Sequence, residues 1–237
     1  SARLSESCRV LSYDRRGHGA SGSPAGSVAL ADQVSDLATL LSLAGHGAHH
    51  LVGTGVGAVI ALQLALLRPD QVRSVNVHDP YLVGLLSADA AAGPVYASAR
   101  ELEHAVVARP EPLDHRGAAQ AYVEGVGTEP GSWGGLPPAV QESFVANGGV
   151  TLTEMLDPTT QTIELSRFAG YRDPIVITTG PRSTAVFATI NDRLADGFYS
   201  PLRYSFEGSG HFPHVTDPEQ SVRVITEFCK FAVERTG

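Results

Sequence analysis

A chain of 237 residues with 43% hydrophobic side chains suits one α/β layer structure carrying an insertion. Its net charge of −8, with no basic stripe to neutralise phosphates, excludes a nucleic-acid partner. No long apolar span or secretory signal is present, so the expectation is a cytoplasmic protein with no membrane partner.

The chain opens on Ser1-Ala2-Arg3-Leu4, which reads as a helix end, followed by a strand at Cys8–Asp14. A glycine-rich loop runs from Arg15 to Gly22, and its His18 reads as a loop hydrogen-bonder. Leu30, Val34, Leu37, Leu41 and Ala44 then recur at helical spacing, with Gly45 as the stop. His46, His49 and His50 make a histidine-rich turn, but no carboxylate or cysteine accompanies them at ligand spacing. The turn is read as solvated, and no metal site is expected. Cys8 and Cys229 lie far apart in apolar contexts and read as reduced core thiols. Abundant Ala, Gly, Val and Arg with little Lys is the composition of a high-GC bacterium.

From His50 to Leu62 a short apolar run meets a tight glycine corner and then a helix. Gly53 and Gly57 leave room for helix against strand, and Gly55 between them occupies a corner of strained dihedrals. A dinucleotide-binding turn is the competing reading, with Ala58 at the third glycine place and Asp79 near the ribose-binding distance. A lone match of that kind has little specificity. A P-loop is excluded because no Gly-Lys-Ser/Thr follows, so no cofactor is expected.

Val72–His78 reads as a buried strand ending at Asp79-Pro80. Over residues 81–170 the strand–helix rhythm lapses. Helices are expected around Val95–Val107, Ala118–Gly125, Pro138–Ala146 and Thr151–Met155, separated by loops such as Arg109-Pro110-Glu111-Pro112 and Gly131–Gly135. The rhythm resumes with a strand at Ile175–Thr179, a helix at Thr184–Ala195, a strand at Leu202–Phe206 and a closing helix at Pro218–Glu234.

Three segments together resemble motifs of the α/β-hydrolase superfamily. Gly53-Thr54-Gly55-Val56-Gly57 resembles its nucleophile elbow, G-x-S-x-G, with Gly55 in the nucleophile position. Asp14–Ser21 resembles its D-x-R-G-x-G-x-S loop, and Gly208–His214 its catalytic-histidine loop. The resemblance covers Cys8–Arg235 and implies a mostly parallel sheet with helices on both faces. The core would comprise residues 1–80 and 171–237, and an inserted helical cap residues 81–170. It further implies N-terminal strands ahead of Cys8, one of them completing the oxyanion hole with the Val56 N–H. His211 becomes the catalytic histidine and Tyr81, Trp133 and Phe212 candidate substrate contacts. The usual G-x-x-D acid is absent, since that loop reads Gly180-Pro181-Arg182-Ser183. A less common arrangement takes the acid from the strand before the cap, which selects Asp79 over Asp192.

Gly55 removes acyl transfer through a serine ester. Three functions stay open. One is an enzyme using His211 and Asp79 as an acid–base pair for lyase, cyclisation or water-mediated hydrolysis of a small apolar, aromatic or polyketide-like compound. A second is a non-catalytic ligand-binding pseudo-hydrolase. A third is a serine esterase inactivated by Ser-to-Gly replacement.

Overall fold

Ile175–Thr179 is β-branched at every position, and Val72–His78 is buried at every position except the half-buried Arg73. Runs of this kind form strands covered on both faces. The computed structural model describes residues 3–22, 28–107, 114–127 and 130–236 and places both runs inside a four-stranded sheet. The strands β1 (His49–Thr54), β2 (Val72–His78), β3 (Ile175–Thr179) and β4 (Leu202–Ser205) lie in that spatial order, and every pairing is parallel. The register pairs Thr54 with His78, His78 with Thr178, and Thr179 with Ser205. The residues that leave these strands, Gly55, Asp79, Gly180 and Phe206, therefore gather along one carboxyl edge, where open α/β sheets place ligands.

Helices α1 (Leu30–Ala44) and α2 (Val56–Leu67) pack on each other, and α2 lies against β1 and β2. Because Ala58–Leu62, Leu64 and Ala65 are all buried, α2 is enclosed on nearly every side, as its apolar sequence requires. Among the described residues, 83–168 carry no strand. They hold α3 (Gly93–Val107), α4 (His115–Ala121), a π-turn at Tyr122–Gly127, α5 (Pro138–Ala146), α6 (Gly148–Leu156) and short 3₁₀ turns. Then come α7 (Ala185–Gly197) against β3, the short α8 (Pro213–Thr216), and α9 (Pro218–Thr236), which packs on β2. One apolar core runs from Leu30 to Phe198. A smaller cluster joins Ala119, Val123, Trp133, Leu136 and Phe212.

Two expectations are corrected. The run Cys8–Asp14 is not part of the sheet, because an apolar run becomes a strand only with a partner about 4.8 Å away. Among the described residues β1 pairs only with β2, so it is an edge strand with Val52 51% exposed, and Leu11 is likewise half exposed. Cys8, on the unpaired segment, is consequently exposed rather than a core thiol, while Cys229 is half-buried. The loop Arg109–Pro112 lies outside the described residues. Among the described residues no helix is long and apolar enough to cross a membrane.

Candidate active site

The elbow is built by backbone contact. A Cβ on Gly53 would stand 2.4 Å from the Gly57 carbonyl oxygen, so β1 and α2 approach as closely as glycine allows. Gly57 itself faces open space, so its small size is not demanded by a neighbour. Gly55 turns the corner at φ 56°, ψ −122°, its N–H donating to the His78 carbonyl and its carbonyl accepting from Ala58 N–H, both at 3.1 Å. Val56 opens α2 immediately afterwards, half-buried.

His211 stands over this corner. A Cβ added to Gly55 would come 3.2 Å from its Nε2. The imidazole is 2% exposed and lies flat on Phe187, with centroids 4.5 Å apart and planes 9° apart, while Phe212 meets it edge-on at 4.9 Å. Its Nδ1 has no bonded partner within ordinary hydrogen-bond geometry and faces Asp79 Oδ2 at 3.5 Å. A buried aromatic stack and a carboxylate thus fix both the ring plane and its direction.

Asp79 has a strained backbone, φ 41°, rare for a non-glycine residue. Successive strand residues point to opposite faces, but this turn swings the carboxylate to the side already occupied by His78. Asp79 is fully buried and collects donors. Asn191 Nδ2 donates to Oδ1 at 3.2 Å, the Ser183 hydroxyl donates to Oδ2, and His78 Nε2 lies 3.3 Å from Oδ2. Burial alone would raise its pKa. The ring nitrogens of His211 and His78 that face Oδ2, at 3.5 and 3.3 Å, outweigh that and hold the carboxyl below the usual carboxylate range. For His211 burial dominates and lowers the pKa, against the opposing pull of Asp79, so the ring favours its neutral form. A neutral imidazole with Nε2 directed at the elbow corner is chemically a general base.

His78, Ser183, Asn191 and Phe187 are the members that sequence reasoning left out. Ser183 carried a signal: it stands at the acid position of the G-x-x-D pattern, and here its hydroxyl donates to Asp79. His78, Asp79 and His211 bring ligand-type atoms within 4.8 Å of one another. His78 is already engaged, Nδ1 with Thr178 Oγ1 at 3.0 Å and Nε2 with the Gly210 carbonyl at 3.1 Å, so the group reads as a hydrogen-bond network. The same contacts bear on the dinucleotide reading, since Asp79 is turned inward and has no face for a ribose.

Beside the corner is a cavity of about 300 Å³, lined chiefly by Tyr81, Val95, Ala99, Leu102, Thr184 and Val186. Tyr81 joins it to the elbow, because its N–H donates to the Gly55 carbonyl at 3.3 Å and its hydroxyl donates to the buried Glu103. Trp133 does not line this cavity. It packs with Phe212 in the smaller apolar cluster, and Phe212 in turn meets the His211 ring.

A 2-(acetamidomethylene)succinate hydrolase of Mesorhizobium japonicum is 28% identical over 240 residues, covering 95% of this chain and 80% of that protein. A shorter match, 35% identical over 69 residues, covers 29% of this chain and only 26% of a RutD protein from Azorhizobium caulinodans. Among solved structures, a hydrolase from Pseudomonas aeruginosa superposes with TM-score 0.73 at 22% identity, over 96% of this chain and 82% of that one. The enol-lactonase from Burkholderia xenovorans gives 0.71 at 17% identity, over 97% and 84%. The alpha/beta hydrolase family model matches residues 1–224. With the glycine elbow, the parallel sheet and the histidine loop in one chain order, the protein belongs to the alpha/beta hydrolase family.

Proposed function

We propose that this chain is an enzyme of the alpha/beta hydrolase fold that works without a side-chain nucleophile. His211, oriented by Asp79, is the general base, and it acts on a water or a substrate group seated at the Gly55 corner. The observation that carries this reading is the aim of Nε2 at that corner, 3.2 Å from where a Cβ would be. The base takes a proton from the oxygen there, the oxygen attacks a carbonyl carbon, and the proton passes to the leaving group. When the attacking oxygen is water the outcome is hydrolysis. When it is the substrate's own hydroxyl the outcome is cyclisation. The Val56 N–H is the oxyanion donor this chain supplies.

The substrate is small and mainly apolar, of aromatic or polyketide-like character, because the adjoining 300 Å³ cavity is walled by Val83, Val95, Leu102 and Val186 with few polar groups. Relatives named as hydrolases of 2-(acetamidomethylene)succinate and of an enol-lactone support a carbonyl compound. The helical residues 81–170 act as the cap, with α3 forming one cavity wall. The near-complete burial of His211 favours one other reading, a pseudo-hydrolase that binds the same ligands without turning them over.

Short activated esters test the proposal against His211→Ala and Gly55→Ser variants. Turnover by the unaltered chain that disappears in His211→Ala is the expected result. Turnover seen only in Gly55→Ser overturns it in favour of a disarmed serine esterase, and ligand binding with no turnover in any form favours the pseudo-hydrolase.

A further inference from the structure

His78 is wholly inside the protein at the carboxyl end of β2, 4% exposed, and every polar atom of its ring is committed. Nδ1 meets Thr178 Oγ1 at 3.0 Å, and that hydroxyl lies 3.1 Å from the Val77 carbonyl. Nε2 faces two acceptors, the Gly210 carbonyl at 3.1 Å and Asp79 Oδ2 at 3.3 Å, so it must carry a hydrogen and donate to both. Gly210 directly precedes His211, which makes this contact the bond from the sheet to the histidine loop closest in sequence to the imidazole.

We propose that His78 is a positioning residue for the His211–Asp79 pair. It fixes the Gly210 carbonyl, and with it the backbone that carries His211. It also holds Oδ2 of Asp79 in the direction from which Nδ1 of His211 is met. This role rests on the reading of His211 as the base, but it has a signature of its own. A His211 held by Asp79 keeps its hydrogen on Nδ1 and leaves Nε2 bare, whereas a released imidazole returns toward the Nε2–H form.

The competing role is packing, since His78 also meets Phe206 edge-on with centroids 5.4 Å apart. Two substitutions separate the roles. His78→Phe keeps a ring against Phe206 and loses the donor. His78→Gln loses the ring and keeps a donor near the place of Nε2. Nitrogen-resolved NMR of the His211 ring in the folded variants reads the tautomer without any substrate. Hydrolysis of a short activated ester reads the consequence.

Positioning predicts that His78→Gln keeps the Nδ1–H tautomer, while His78→Phe shifts toward Nε2–H and loses about 100-fold in kcat/KM, the scale of a misplaced catalytic group. Packing predicts the reverse order, and that result overturns the proposal. An Nε2–H tautomer in the unaltered protein also overturns it, together with the His211–Asp79 pair. An Nδ1–H tautomer with no ester turnover leaves the positioning role standing and removes only the proposed activity.

Discussion

A fully buried carboxylate is stable only when its lone pairs meet donors, and Asp79 is surrounded by Ser183, Asn191, His78 and His211. Replacing it by Asn preserves the shape but presents an N–H₂ group where an acceptor is needed, which favours the wrong tautomer of His211. Asp79→Asn is therefore expected to lower kcat/KM by about 10⁴-fold, the scale of the corresponding change in a serine-protease triad, with an unchanged far-ultraviolet circular dichroism spectrum. The pH dependence follows from the two shifts. Because the folded-state pKa of Asp79 is depressed, its contribution to stability is in place above the unfolded carboxylate value of about 3.9 and is lost as pH falls through the folded value. His211 is also depressed, so below its unfolded value of about 6.5 the unfolded chain takes up a proton that the folded chain refuses. Stability should fall as pH drops below that point, and His211→Gln should flatten this limb by up to about 1.4 kcal/mol per pH unit in urea titrations. The same depression keeps His211 neutral in mild acid, so with His211 as the proposed base the acid limb of kcat/KM is expected to turn below about 6.5.

Between elements, the helices of residues 83–168 are tied to the sheet core by buried carboxylates. Glu154 on α6 is 2% exposed and accepts from Arg15 Nη2 at 3.1 Å and from Gln33 Nε2 on α1 at 2.9 Å. Glu103 on α3 accepts from Tyr81 and Arg100, and burial raises its pKa against both partners. Glu154→Gln leaves the Arg15 guanidinium, 20% exposed, without its counter-charge, and a loss of about 3 kcal/mol in urea unfolding is expected. The cavity between α3 and α7 gives a separate prediction. Ala99→Trp would place a bulky ring in a space of about 300 Å³, abolishing retention of small apolar carbonyl compounds while the unfolding midpoint changes little. A large stability loss there would instead mean that the cavity wall cannot accommodate the ring.

Over the whole molecule, what the sequence disclosed depended on how far apart the interacting residues lie in the chain. The elbow, the strands β2 and β3 and the helices α5, α7 and α9 are local, and glycine spacing or apolar periodicity located each to within a few residues. His211 and Asp79 were legible because each stands in a motif with a fixed place in the fold, and the structure brings them within 3.5 Å. Asn191 was not, because its bond to Asp79 bridges more than a hundred residues and nothing local marks it, and Ser183 was marked only by its place in the G-x-x-D pattern. His78 was hidden for a different reason. A strand residue beside Asp79 should point away from it, and only the positive φ at Asp79 brings the two side chains together. Cys8–Asp14 shows the converse error, since an apolar run predicts a strand but cannot supply the neighbour that makes it one.

Base catalysis without a covalent intermediate can be tested by rapid-mixing kinetics with a short activated ester, followed by intact-protein mass spectrometry. Steady turnover by the unaltered chain is expected, with no initial burst and no acyl adduct, and lost in His211→Ala, beside a burst with an adduct on position 55 in Gly55→Ser. An acyl adduct on the unaltered chain, at Thr54, Ser183, Ser209 or any other residue, would rule this mechanism out by showing that a nucleophile is present after all.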